Sequence, residues 1–349
     1  MSQCLLCRIP YVITSLRLTL IVVLFGGCSF IDTVPYEKGA IWCNEPLKYD
    51  HGVPFDKTHL DVARYGYIYA LAGAYVLQDN LDEDKDHWFV LPPRMKEVDR
   101  PQRDDSGFEV RTFELRHDLS DPEPSEIIVA YTGSNDSADW AWTNLWFDQT
   151  QYKLARSYLL NTVKKYPGKQ IVVTGYSLGA GLAGHVTKHE DTAPWVSQAW
   201  LFNPSPKIYA NDRREKKISV GALRGELLGK IRSRPFEWFW PGVNRIGAPW
   251  DQNAQDYYLI SAFPIYGHYR WALARNILFV ADFAHLQDPA GSGPADPRHR
   301  LEPRQILESS QFKACEHDTA ARNKVLNGQG DAQKKATGQE KQRETSINP

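Results

Sequence analysis

Residues 170–185, Gln-Ile-Val-Val-Thr-Gly-Tyr-Ser-Leu-Gly-Ala-Gly-Leu-Ala-Gly-His, constrain this chain more than any other stretch. The β-branched run of Ile171, Val172 and Val173 reads as a short buried strand, and it stops at a glycine. Ser177 then stands between Gly175 and Gly179, and a small-residue segment of helical character follows. Strand, sharp turn, helix is the order in which Gly-x-Ser-x-Gly holds a serine hydroxyl above a sheet. A side chain at Gly175 or Gly179 would collide across such a turn. Ala180, Gly181, Ala183 and Gly184 let the helix lie close on the sheet, with its N-terminal amides aimed at the serine to stabilise developing negative charge. A bare Gly-x-Ser-x-Gly arises by chance in roughly one chain of this length in ten. The flanking strand and helix therefore carry the inference.

The 349 residues fit one large domain or two ordinary ones. Hydrophobic residues make up 42%, with 11 Trp and 17 Tyr, which is enough for a sizeable core. A net charge of −1 with no basic block excludes an extended nucleic-acid surface. No Gly-x-x-x-x-Gly-Lys-[Ser/Thr] loop and no His-Glu-x-x-His occur. His185 and His189 lie at i, i+4, a spacing that suits a metal, but no carboxylate holds the zincin position. We read no metal site and no cofactor.

The N-terminus speaks to cellular address. Arg8 and Arg17 precede an apolar run, Leu18 to Gly27, and then Cys28. That run is too short to span a bilayer comfortably, and the layout is that of a secretory signal. Leu24-Phe25-Gly26-Gly27-Cys28 resembles a bacterial lipobox, with Phe25 in place of the usual Leu. The resemblance implies acylation of Cys28 as the mature N-terminus; an uncleaved anchor reaching back to Tyr11 is the competing reading. Ser29 after the cysteine favours the outer membrane of a Gram-negative envelope by the same resemblance. Cys4 and Cys7 leave with the signal, so Cys43 and Cys315 remain, either as a disulfide or as two thiols.

Residues 1–27 are thus a signal and 28–57, rich in Pro and Gly, a tether. A helix with an apolar face is expected from Thr58, as N-cap, to about Gln78. Asp79 to Asp86 reads as a solvated acidic loop. Strands are expected at Phe108 to Leu115, Ile127 to Tyr131, Ala199 to Phe202 and Ile218 to Leu223, and a helix at Gln151 to Tyr166. Residues 286–349 lose their aromatics except Phe312, and we expect a polar, largely disordered tail.

The segment from Tyr131 to Pro206 resembles the class 3 (fungal-type) lipases, an α/β-hydrolase family. That family runs a strand into Arg-Gly-Thr or Arg-Gly-Ser, then an Asp-Trp…Asn segment, then a helix leading to Thr-Gly-His-Ser-Leu-Gly-Gly, then a strand ending in Phe-Gly-Ser-Pro. This chain has Thr132-Gly133-Ser134, Asp139-Trp140 with Asn144, Thr174-Gly175-Tyr176-Ser177-Leu178-Gly179-Ala180, and Phe202-Asn203-Pro204-Ser205-Pro206. It departs at Thr132 for Arg, at Tyr176 for His, and at Asn203-Pro204 in place of the single Gly. The resemblance implies an α/β-hydrolase domain, about residues 58–285, with a mostly parallel sheet and helices on both faces. It places Ser134 and Leu178 as oxyanion-hole donors, each such donor being worth roughly 3 kcal/mol in the transition state. The Trp-rich stretch 140–147 sits where the family keeps its lid, and core packing is the plainer reading.

Hydrolase order after the elbow is Ser, acid, His. His268, in Tyr266-Gly267-His268 ahead of a helix bearing Leu273, Ile277 and Leu278, lies where the family presents its catalytic histidine. His285, His299 and His317 fall in or near the polar tail. Glu226 follows the Ile218-to-Leu223 run through Gly225 and fits the acid by position; Asp212, Asp251 and Asp256 compete. Residues 233–262, with Phe236, Trp238, Phe239, Trp240 and Trp250, read as an acyl-chain wall or as a satellite core. The expectation is a membrane-tethered ester hydrolase acting on lipids through a Ser177–His268–Glu226 triad. An acyltransferase on the same machinery, or a lipid-binding envelope lipoprotein without turnover, are the alternatives.

Overall fold

The computed structural model describes residues 56–76, 78, 88–102, 106–132, 149–223, 226, 228–229, 246–257, 270–287 and 299–310. The first element among the described residues is helix α1 (Lys57–Tyr75). Asp56, not Thr58, caps it: the Asp56 carboxylate accepts the His59 N–H at 3.0 Å. Aspartate at this position satisfies an amide that the first turn leaves without a partner.

Seven strands follow among the described residues: β1 (Met95–Asp99), β2 (Val110–Leu115), β3 (Glu126–Tyr131), β4 (Gln170–Tyr176), β5 (Val196–Phe202), β6 (Ile218–Leu223) and β7 (Asn253–Tyr257). They form one sheet in chain order, antiparallel from β1 to β3 and parallel from β3 to β7. Helices α2 (Thr150–Lys165) and α3 (Leu178–Lys188) lie between β3 and β5 in sequence, and α4 (Arg270–Gln287) and α5 (Glu302–Ser309) follow β7. The register brings Tyr131 beside Gly175, Tyr176 beside Phe202 and Phe202 beside Gly221. The C-terminal ends of four parallel strands therefore form one edge.

Alternation along the strands sorts two cores. Ile127, Val129, Tyr131, Ile171, Val173, Ala199, Leu201, Ile218 and Val220 pack with α2 and α3. Ile128, Ala130, Val172, Trp200 and Phe202 pack with α1 and α4 on the other face. Burial on both faces explains why these strands read as unbroken apolar runs. Helices on both faces of a mostly parallel sheet, with the sharp turn described below between β4 and α3, make this an α/β-hydrolase fold.

α1 lies close on the sheet. Tyr69 stacks on Trp200 with ring centroids 5.3 Å apart, and a Cβ at Gly66 would come within 2.6 Å of the Trp200 ring. The Thr174 hydroxyl reaches the carbonyls of Tyr69 (3.1 Å) and Trp200 (2.9 Å), tying helix to sheet. α4 is buried from Ala272 to His285, and Arg64 of α1 donates to the Ala284 carbonyl at 2.8 Å. α5 falls inside the span that reads as polar tail. Its Glu302 accepts from Arg94 (2.7 Å) and Tyr67 (2.8 Å), and Ile306 enters the core. Among the described residues no helix is long and apolar enough to cross a membrane; the expected signal (1–27) and the expected tether (28–57) up to residue 55 lie outside them, while Asp56 and Lys57 cap and open α1.

Candidate active site

Ser177 links β4 to α3 with φ 54° and ψ −117°. A positive φ strains any residue with a Cβ, and such strain persists only where the surroundings impose it. They do so here through the main chain. The Ser177 N–H donates to the Phe202 carbonyl (3.0 Å), and its own carbonyl accepts from Gly181 (3.1 Å) and Ser205 (2.9 Å). A Cβ at Gly175 would sit 2.3 Å from the Gly179 carbonyl carbon, and one at Gly179 would sit 2.0 Å from the Tyr131 carbonyl oxygen. Both glycines are thus required by close backbone approach, as the elbow reading anticipates. Gly181 and Gly184 press on Lys207, Ser205 and Leu201, so α3 lies tight against β5 and the chain that follows it.

Ser177 retains 8% exposure, and its side chain makes no capping bond to α3. Leu178 is the first residue of α3, and first-turn amides have no partner within a helix. The end of β3 abuts this turn, since a Cβ at Gly179 would come within 2.9 Å of the Thr132 carbonyl carbon. Thr132, the last described residue before Ser134 in sequence, thus lies beside Gly179; Ser134 itself, with the Trp-rich stretch 140–147, lies outside the described residues.

The carboxylates separate by edge. Glu226 stands three residues beyond β6 and is 1% exposed. Its N–H donates to the Leu223 carbonyl (3.4 Å), and its Oε2 accepts from the Leu228 N–H (2.9 Å). Ser177 and Glu226 thus both stand at the C-terminal edge of the sheet, on the turns that follow β4 and β6. Asp212 is at the other edge: Lys188, the last residue of α3, donates to the carbonyls of Asn211 (3.0 Å) and Arg213 (2.7 Å). Asp251 lies in a turn just before β7, also at that far edge. Asp256 sits near the C-terminal end of β7, one strand farther from Ser177 than Glu226.

His268 lies outside the described residues, two positions ahead of α4 in sequence. His299 is held to the His117 carbonyl at 2.7 Å, beyond the far-edge end of β2. His285 is buried in the last turn of α4. His185 is buried on α3, where Nδ1 faces the Ile208 carbonyl (2.9 Å) and Nε2 the Arg156 guanidinium (2.6 Å). Desolvation above all, with Arg156 nearby, pushes it down to about 4, so it is a neutral core group. Among the described residues no cluster of three or more His, Cys, Asp or Glu is placed to hold a metal. Cys28, Cys43 and Cys315 also lie outside them.

Asn203 stands out in the sequence only as a departure from the class 3 pattern, with nothing there to show its contacts. Asn203, fully buried just after β5, has φ 41°. Its amide nitrogen donates to the Tyr176 hydroxyl, and its amide oxygen accepts the Leu223 N–H at 2.9 Å.

No family model matches the chain, and no curated protein matches its sequence. Among solved structures it is similar to Lip2 lipase from Yarrowia lipolytica, at 13% identity and a TM-score of 0.34, over 53% of this chain and 76% of that one. It is similar to Rhizomucor miehei lipase in its propeptide complex at 11% identity and a TM-score of 0.35, over 52% and 65%. A triacylglycerol lipase from Penicillium expansum gives 13% identity and a TM-score of 0.31, over 54% and 76%. The fold assignment stands on the sheet order and the elbow of this chain itself.

Proposed function

We propose that this chain is a serine hydrolase of carboxylic esters, with lipids as substrate class. The observation that carries the reading is Ser177, held at positive φ between a parallel strand and the N-terminus of a tightly seated helix. A serine hydroxyl is a weak nucleophile, so the site needs a base, and an acid to orient that base. His268 takes the Ser177 proton as Oγ attacks the ester carbonyl, then returns it to the leaving alkoxide. Glu226 holds the imidazole in the productive tautomer and stabilises its charged form. The N–H groups of Leu178 and Ser134 receive the oxyanion, and water resolves the acyl-enzyme. The choice of lipid esters rests on the motif resemblance to class 3 lipases. Acylation at Cys28 would hold the domain on a cell-envelope membrane beside such substrates.

The test is a fluorophosphonate probe on the full chain. Wild-type protein should label at one serine, and Ser177→Ala should lose both the label and turnover of a p-nitrophenyl ester, on the order of 10⁶-fold. Labelling of a different serine in the folded variant would overturn the assignment.

A further inference from the structure

We propose that Asn203 and Tyr176 are positioning residues, a buried clamp that sets the separation between Ser177 and the turn carrying Glu226. The proposal rests on the hydrolase reading above. β5 lies between β4 and β6, and Asn203 stands at its C-terminal end. From there one amide group reaches both neighbours, giving its nitrogen to the Tyr176 hydroxyl and its oxygen to the Leu223 N–H. Because a main-chain N–H only donates, the Leu223 contact fixes which amide atom is oxygen. Tyr176 immediately precedes Ser177, and the Leu223 carbonyl receives the Glu226 N–H. A continuous covalent and hydrogen-bonded path thus runs from the nucleophile to the acid through Asn203.

The clamp also replaces a rung of the sheet. The paired register of β5 and β6 ends at Phe202 and Gly221, so Leu223 lies beyond it. Oδ1 of Asn203 takes the Leu223 N–H there, which lets the two strands separate without leaving a buried amide unpaired. Asparagine holds φ 41° at this point, where glycine would rest without strain. A strained backbone kept at a fully buried position implies that the side chain supplies what glycine cannot. Both positions depart from the class 3 pattern, and they depart together, as two halves of one hydrogen bond.

Two variants test the clamp against a purely structural role, alongside Ser177→Ala. Asn203→Gly relieves the φ strain while removing both side-chain bonds, and Tyr176→Phe removes only the hydroxyl. With a short-chain p-nitrophenyl ester, each should lower kcat about 10-fold or more with KM nearly unchanged, since geometry at the reacting atoms is lost rather than binding. Each should also move the acidic limb of the pH profile of kcat/KM down by about half a unit, because a misplaced carboxylate stabilises the imidazolium less. If Asn203→Gly fails to fold, Tyr176→Phe still decides. Wild-type kcat and an unmoved acidic limb in the folded variants, with Ser177→Ala inactive, would overturn the clamp and leave the hydrolase reading standing. Turnover surviving in Ser177→Ala would overturn both.

Discussion

Gly179→Ala is a single methyl group placed against the Tyr131 carbonyl oxygen at 2.0 Å. Cβ contacts essentially never fall below 3.0 Å, so the first turn of α3 must recede by about 1 Å. Nothing flexible stands in the way to yield: the near atoms are backbone, Tyr131 held in the β3–β4 register and Thr132 by its N–H on the Glu109 carbonyl at 3.0 Å. That displacement carries the Leu178 N–H away from the proposed oxyanion position, and a misplacement of about 1 Å costs on the order of 100-fold in rate. Overpacking adds about 1–3 kcal/mol of lost stability. The control is Gly184→Ala on the same helix, where the nearest atom is the end of the Leu201 side chain at 3.3 Å. There, helix propensity returns up to about 1 kcal/mol, and activity should stay within about threefold. The assay is kcat/KM on a p-nitrophenyl ester beside thermal unfolding followed by circular dichroism. A folded Gly179→Ala protein with wild-type kcat/KM would refute the claim that α3 is pinned by this contact.

Three further outcomes are expected. Glu226→Gln should cost on the order of 10⁴ in kcat by favouring the wrong histidine tautomer, while Asp212→Asn and Asp251→Asn, at the far edge, should change it less than about twofold; a collapse in Asp256→Asn instead passes the acid's role to β7. His185, pushed down to about 4 by burial, binds its proton in the unfolded chain first, so stability should be full above pH 6.5 and fall as pH drops toward 4. The loss is on the order of 3 kcal/mol, read as the difference in urea unfolding between pH 7 and about pH 4.5, and an equal difference in His185→Gln would refute it. Finally, labelled fatty acid fed to expressing cells should enter the protein and be absent from Cys28→Ser, and equal labelling of that variant would dismiss the lipobox.

β3 to β6 and the elbow were legible because burial on both sheet faces and close backbone packing write themselves into residue type. Few physical demands besides these produce β-branched runs and paired glycines. β1 and β7 were not legible: Met-Lys-Glu-Val-Asp and Asn-Ala-Gln-Asp-Tyr are polar edge strands, assigned by the neighbour they pair with rather than by their own composition. α5 was hidden for a similar reason, since Glu302 is drawn inward by Arg94 and Tyr67, more than 200 residues away in sequence. Sequence order left four carboxylates for one role. Only the direction of α3, read from Lys188 and the carbonyls it holds, puts Asp212 at the edge of the sheet opposite Ser177. The Asn203 amide was illegible because its partners lie 27 and 20 residues away on two different strands.

The face of the sheet built by α1 and α4 bears on how activity arises. α2 and α3 come from within the stretch that lays down β3 to β5, so that half can condense from neighbouring segments as it is made. The opposite half waits for the two ends of the domain to meet, as in Arg64 with Ala284 and Tyr67 with Glu302, separated by 220 and 235 residues. Closing such long loops is entropically costly and slow. His268 precedes α4 directly, so a nascent or half-folded chain carries its strained serine without the proposed base. On the proposed mechanism, ester cleavage would then switch on only when folding is complete, a delay that would spare any membrane the proposed signal carries the chain across.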